Sequence, residues 1–370
     1  MKTSEKSRFD ILRFTESYFE RIWGGGKLRG TLKKPTPSDT VIGEAWLISD
    51  HAQCESRVAE GPHSGKTLRA LIAENASAIL GQRARLTPQG RFPLLLKLID
   101  AGDVLSVQVH PDDEDAKRLE EPDSGKTEMW HVLDAEPGAE LICGLTHDTT
   151  AASFRKALSE QRLKECMMRF PAPAGTNVFV PAGTIHAIGA GILLAEIQQN
   201  SDLTYRVYDW DRVEASGKPR ALHVEKALEV IRFETGHHGP NLPLGYELDG
   251  ASCSVLAVCH YFAAELITVA GSFTRSLPGD SFHLLLVKHG PLTVQGKNTE
   301  YILYAGDAVL VPGSLDRFTL QGTGSFLEYY VPDLIRDIGE PLLRAGHSRE
   351  SIARLGGPPE KGFPQGFAFR

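Results

Sequence analysis

The chain is poor in the features that mark secreted, membrane-bound and nucleic-acid-binding proteins. Its 370 residues hold only 5 cysteines (Cys54, Cys143, Cys166, Cys253 and Cys259) and no CxxC pair. An odd, scattered set makes neither a disulfide framework nor a thiolate zinc site, and reads as reduced thiols. No apolar run approaches the length of a membrane span, and the charged start Met1–Arg8 has no apolar signal core. A cytoplasmic protein is expected. Positive charge is not in excess either. With 40 Lys and Arg against 47 Asp and Glu, the net charge of −7 invites neither nucleic acid nor an anionic membrane. A phosphorylated ligand therefore needs a local basic site.

A phosphate-binding loop is also missing. Ser64–Thr67 and Ser124–Thr127 both end like an ATP-binding motif. The glycine required five residues before Gly65 and Gly125 is replaced by Glu60 and Glu120. Gly24–Lys27 is too short a signal and reads as a turn, and His237 and His238 read as a solvated pair in a linker.

What remains is a chain of ordinary globular composition, 41% apolar and 24% charged, long enough for two or three domains. Short runs rich in Val, Ile, Leu and aromatics recur between Gly, Pro and Asp. They include Val41–Ser49, Leu94–Leu98, Val104–Val109, Leu141–Cys143, Val178–Val180, Leu193–Gln198, Tyr205–Tyr208, Phe282–Val287 and Ala308–Val311. They read as strands. Helical spacing is confined to Thr67–Leu80, Ala151–Met168 and His223–Arg232. The pattern predicts a mainly β protein with helical insertions.

Two stretches repeat each other. Gly175 precedes Pro181 by six residues, as Gly306 precedes Pro312, with an apolar strand between them in each case. A glycine turn, a buried strand and a proline turn, twice over, predict two related β-barrels. Residues 1–235 form the first domain, with a helical insertion at about 145–170. Phe233–Leu244 is the linker, residues 245–332 form a second and degenerate domain, and 333–370 is a surface tail.

The densest chemistry lies at Asp103–Pro111. Gln108 and His110 are two apart on a strand, so they project from one face, and Pro111 ends the ladder. Glu128 follows Gly125, and His186 follows the Pro181–Gly183 turn. One amide oxygen, two imidazoles and one carboxylate make a mixed N/O set that suits zinc or another first-row divalent ion. Singly, each residue is more often structural or solvated, and the set carries the signal.

The spacing from Gly102 through Gln108 to His110, followed by Gly175, Pro181, Gly183 and His186, resembles the paired motifs of the cupin superfamily. The wider wording resembles the type I mannose-6-phosphate isomerases, in their short bacterial form. The matching stretches include Trp23–Gly25, Gly43–Trp46, Phe92–Asp100, Leu105–Asp112, Gly125–Glu128, Pro181–Gly189, Glu196–Asp202 and Thr204–Asp211. The resemblance implies two jelly-roll barrels and interconversion of mannose 6-phosphate and fructose 6-phosphate. It implies one zinc ion per chain on Gln108, His110, Glu128 and His186, with Arg206 as the active-site arginine. In the second barrel Arg317 stands where His186 stands in the first, so no metal is expected there.

An aldose–ketose isomerisation needs a base, stabilisation of charge on two sugar oxygens, and a phosphate anchor. Arg206 suits the oxyanion or the phosphate, and on a regular strand it shares a face with Tyr208. Lys126 and Glu196 are both candidates for the base. Lys97 interrupts an apolar strand and Ser106 shares the face of Gln108, so both are candidate substrate contacts. Two other readings stay open: an iron oxygenase using His110, His186 and Glu128, or a non-catalytic sugar-binding cupin. The expected partner is a small sugar phosphate, with the chain acting as a monomer or homodimer.

Overall fold

A computed structural model describes residues 9–214, 217–233 and 239–356, so the His237–His238 pair lies outside the described residues. The molecule is layered. A five-stranded sheet runs in the order Met167–Pro171, Glu140–Leu145, His186–Ile188, Val107–Val109, Tyr205–Tyr208. A six-stranded sheet runs Asn177–Val180, Glu128–Ala135, Ile192–Gln199, Leu94–Ala101, Ser17–Gly25, Ile42–Ile48. The two face each other across an apolar cluster that includes Ile99, Trp130, Val178 and Leu194 from one sheet and Leu141, Cys143 and Ile188 from the other. Both sheets are open. The mainly β, cupin-type fold expected is present, with its jelly roll in the form of a sandwich in which facing sheets bury each other.

The six-stranded sheet is covered on both faces, and this explains its sequence. Along Leu94–Ala101, Leu94, Leu96 and Leu98 point outward into a second cluster, while Ile99 and Ala101 point between the sheets. With no solvated face, the strand reads as a near-continuous apolar run. Lys97, on the inward side, is the exception that marks a polar interior.

The outer cluster is shared with the C-terminal half. There a nine-stranded sheet is built around two 14-residue strands, Ala263–Ser276 and Arg317–Tyr330. From this half Phe262, Phe282, Leu284 and Tyr329 pack with Leu96, Leu98, Ala195 and the helix Leu68–Leu80 in one core. Phe92 and Phe282 meet at 4.3 Å between ring centroids. The short strand Leu12–Arg13 crosses over and pairs with Leu310 and Val309 of that sheet. The glycine-led repeat is visible as two turn-and-strand units, Asn177–Val180 and Ala308–Val311. Gly175 and Gly306 open them at φ +93° and +89°, where only glycine avoids strain. Arg317 is exposed at the start of its strand.

Several expectations need correction. The helix over Ala151–Met168 stops at Ser159. Gln161 takes φ +57°, a 3-10 turn follows at Leu163–Cys166, and Met167–Pro171 becomes an edge strand against Glu140–Leu145. Its apolar residues pack in a sheet-and-helix core instead of along one long helix face. The strand over Val104–Val109 is ordered as a ladder only from Val107. The tail after Asp333 is not simply superficial. As far as Gly356 it forms short helices whose Ile338, Leu342, Ile352 and Leu355 are buried against Val255, Val258 and Tyr330. Among the described residues no helix is long and apolar enough to cross a membrane.

The shared core makes a prediction. Phe282 is fully buried, so Phe282→Ala should destabilise the protein by about 3–5 kcal/mol, read as a lowered urea midpoint. Both halves should unfold in the same transition.

Candidate metal centre and its cavity

The site is assembled by pairing across the inner faces of the two facing sheets. On the five-stranded sheet Gln108 sits opposite His186 on one side and opposite Arg206 on the other. His110 follows at the strand's end, where Pro111 stops the ladder. On the six-stranded sheet Glu196 lies between Lys97 and Trp130. Glu128 begins its own strand beside Gln198. The facing sheets thus bring the imidazoles of one against the carboxylates of the other.

His110, Glu128 and His186 converge with their ligating atoms all within 4.8 Å of one another, and all three are buried. His110 Nε2 lies 3.5 Å from Glu128 Oε2, and His186 Nε2 lies 3.4 Å from Glu128 Oε1. The other ring nitrogens are committed. Nδ1 of His110 donates to the Leu203 carbonyl at 2.6 Å, and Nδ1 of His186 to the Thr184 carbonyl at 2.9 Å. That leaves both Nε2 lone pairs aimed inward, the orientation metal-binding histidines take. Burial, with Lys126 next in line, holds His110 well below its ordinary range, and burial takes His186 down to about 3. Both rings are neutral and able to ligate.

Glu128 is raised above the usual carboxylate range, by burial first and then by the nearby Glu196 carboxylate, with Lys126 opposing. Its Oε1 has no hydrogen-bond partner among the described residues. Lys126 Nζ lies 2.5 Å from Glu128 Oε2 and 3.0 Å from His110 Nε2. An ammonium thus stands where the donor group calls for a cation. Two imidazole nitrogens and one carboxylate are a set that zinc accepts, with coordination positions to spare. Gln108 reaches the same group of atoms. Its side-chain amide nitrogen lies 3.3 Å from His186 Nε2, and exchanging amide N and O would turn an oxygen to the same place.

A cavity of about 460 Å³ adjoins the donors through Gln108 and Lys126, and its lining includes Lys97, Ser106, Gln108, Lys126, Glu196 and Arg206. The remaining candidate catalytic and substrate-contact residues therefore line one space. Lys97 Nζ pairs with Glu196 Oε2 at 2.7 Å, and Trp130 Nε1 donates to Glu196 Oε1 at 2.8 Å. Burial would raise Glu196, but Lys97 and then Lys126 overcome it and hold the carboxyl low. Arg206 donates through Nη1 to the Ala221 carbonyl, while its buried Nε has no partner among the described residues. Tyr208 does not share this face. A register shift separates it from Arg206, and it packs on the outer core beside Trp210.

Some of the lining was not anticipated. Glu44 is buried, accepts from Trp46 Nε1 at 2.8 Å and pairs with Arg21 at 3.0 Å. It interrupts an otherwise apolar strand as Lys97 does, so the same argument applied to Gly43–Trp46 would have found it. Arg220 also lines the cavity, fixed by Asp209, which Arg212 holds as well. It comes from an irregular segment with no periodic signal.

Comparison with known proteins agrees with this architecture. Residues 11–157 match the family description "Phosphomannose isomerase type I, catalytic domain", and residues 252–331 match "Mannose-6-phosphate isomerase, cupin domain". The chain is 39% identical over 319 residues to the probable mannose-6-phosphate isomerase GmuF of Bacillus subtilis, covering 85% of this chain and 97% of that protein. It is 36% identical to the mannose-6-phosphate isomerase of Streptococcus mutans, covering 82% of this chain and 92% of that one. The crystal structure of the mannose 6-phosphate isomerase from Bacillus subtilis superposes with a TM-score of 0.79 at 32% identity, over 87% of this chain and 99% of that one.

The buried Lys97–Glu196 pair gives a stability prediction. Lys97→Met leaves two carboxylates, Glu196 and Glu44, without their shared cation. Removing one partner of such a pair should cost about 3–5 kcal/mol in a denaturation experiment. Burial would lower Lys97, but Glu196 and then Glu44 overcome it and raise it, while Glu196 is depressed. The pair's contribution should therefore be full between the unfolded values of about 4.3 and about 10.4. It should be lost as pH falls through the folded value of Glu196 or rises through that of Lys97. The variant should lack this acid-side loss.

Proposed function

The chain belongs to the type I phosphomannose isomerase family, and from that membership we propose that it interconverts mannose 6-phosphate and fructose 6-phosphate with one zinc ion per chain. One observation carries the reading. A buried His–Glu–His donor group lies directly behind Gln108 and Lys126, which line a cavity that also collects a buried lysine–carboxylate pair and an arginine. Its free cysteines, four of them buried, fit a reducing cytoplasm.

His110, Glu128 and His186 would hold the ion, with Gln108 beside them. When bound, zinc supplies a Lewis acid for a sugar oxygen. The proton chemistry falls to the chain. The hydrogen on C2 leaves as a proton, its electrons form the C1–C2 double bond of an enediol, and O1 takes up a proton. O2 then loses its proton as the C2 carbonyl forms, and C1 gains one. Glu196 is suited to carry that proton. It lines the cavity, is ionised through Lys97 and is shielded from bulk water, and it gains proton affinity as a base once Lys97 turns from it to the sugar. Lys126 is tied to Glu128 as a cation, which favours a substrate-binding role over a basic one. Arg206 offers an unpartnered N–H to the developing oxyanion or to the phosphate. Ser106 and Lys97 complete the wall against the sugar.

Two measurements test the reading. Purified protein given mannose 6-phosphate should form fructose 6-phosphate, lose that activity when a chelator strips the metal, and regain it with zinc. Absence of turnover in zinc-replete protein would refute the isomerase assignment. Arg206→Ala should lower kcat by about a hundredfold or more, and a variant as fast as the parent removes Arg206 from the chemistry.

A further inference from the structure

A second groove, of about 250 Å³, lies between the N-terminal sandwich and the C-terminal sheet, and Asp113, Ser124, Gln199 and Tyr261 help to line it. It is distinct from the cavity around Glu196, and none of these four residues lines that cavity. Tyr261 belongs to the C-terminal half, on the turn between Ala251–Val258 and Ala263–Ser276. The turn is closed by Cys259 N donating to the Phe262 carbonyl at 2.9 Å. Phe262 is fully buried in the shared core and meets Phe179 edge-on. The Tyr261 hydroxyl is thus delivered from a rigid base.

It donates to Asp113 Oδ2 at 2.6 Å. The other oxygen of that carboxylate accepts from Gly125 N at 2.8 Å and from Gln199 Nε2 at 3.0 Å. Gln199 in turn holds Thr127 twice. Its Oε1 accepts from Thr127 N at 2.9 Å, and its own N donates to the Thr127 carbonyl at 3.1 Å. Between these fixed points stands Lys126, whose own N–H donates to the Pro111 carbonyl at 3.0 Å. Gly125 is pressed so closely on Asp112 and Asp113 that a Cβ there would lie 2.5 Å from their backbone.

We propose that Tyr261 and Asp113 are positioning residues for the isomerase site: a hydroxyl of the C-terminal half, acting through one carboxylate, fixes the loop that carries Lys126 into Glu128. This rests on the isomerase reading for its kinetic consequence, though the positioning itself does not. The C-terminal sheet then does more than stabilise its neighbour. Adhesion of the two halves is already supplied by the apolar core around Phe92 and Phe282, so removing one hydroxyl should spare the fold and disturb the loop.

The test uses the full-length, zinc-replete protein with Tyr261→Phe, Asp113→Asn and the double variant. Each single change should lower kcat/KM between about five- and a hundredfold. Because both act through one bond, the double variant should be no slower than the slower single variant. The melting transition of Tyr261→Phe should stay at the parental temperature. Amide hydrogen exchange reads the loop without reference to turnover, and peptides spanning Gly125–Glu128 should exchange faster in Tyr261→Phe while Ala263–Ser276 is unchanged. Faster exchange in a protein that proves to have no isomerase activity would sink the function and keep the positioning. Parental exchange in Gly125–Glu128 would overturn the proposal. So would a parental kcat/KM in an active enzyme, or losses that multiply in the double variant.

Discussion

Glu128 and Glu196 are carboxylates with almost no contact with water, and the interior of the N-terminal sandwich is organised around the cost of putting them there. An isolated buried carboxylate is unstable by several kcal/mol unless it finds a cation or protonates. Glu196 is answered by Lys97 and by the Trp130 indole. Glu128 is answered by Lys126 and, on the reading given above, by a divalent ion. Each solution requires a second strand at a fixed register. Lys97 must lie opposite Glu196, and His186 opposite Gln108. Register in these two sheets is therefore set by charge as well as by apolar alternation.

The same constraint separates binding from support. Apolar residues fill one part of the space between the sheets, and the other part is left to a polar cavity. The six-stranded sheet can present a charged inner face only because its outer face is sealed by the C-terminal half and the helix Leu68–Leu80. The C-terminal half thus lets a central strand carry a lysine and still remain stable. Buried charge in one sandwich and apolar cover from the other are two sides of one arrangement.

Much of this was legible in the residues. His110 and His186 could be found from their distance to a glycine turn, because the turn fixes where the strand begins and alternation fixes which side chains point inward. Lys97 stood out as a charge in an apolar run, and Glu44 carries the same signal in Gly43–Trp46. What escaped depends on interactions that pattern does not encode. The face of Tyr208 was lost to a register shift after Arg206. The helix after Ala151 was overextended because Cys166 and Met167 are apolar for the sake of a 3-10 turn and an edge strand. Arg220 arrives from an irregular loop, and only tertiary contact with Asp209 reveals it. Ile338 and Leu342 sit four apart, a spacing that passes unnoticed because the Gly- and Pro-rich sequence beyond them makes the whole segment read as tail.

The crossing strand Leu12–Arg13 has a consequence for the life of the chain before it is a protein. Its partners are Leu310 and Val309, so nearly 300 residues must leave the ribosome before its hydrogen bonds can form. Until then one of the first described segments to emerge has no edge to join, and the sheet that awaits it does not yet exist. Such distant pairing is the slow, loop-closing kind of folding step. An early segment of the described chain is thereby stitched to a late one, and a ribosome that stops before Val309 releases a chain that still lacks part of the sheet covering its charged strand.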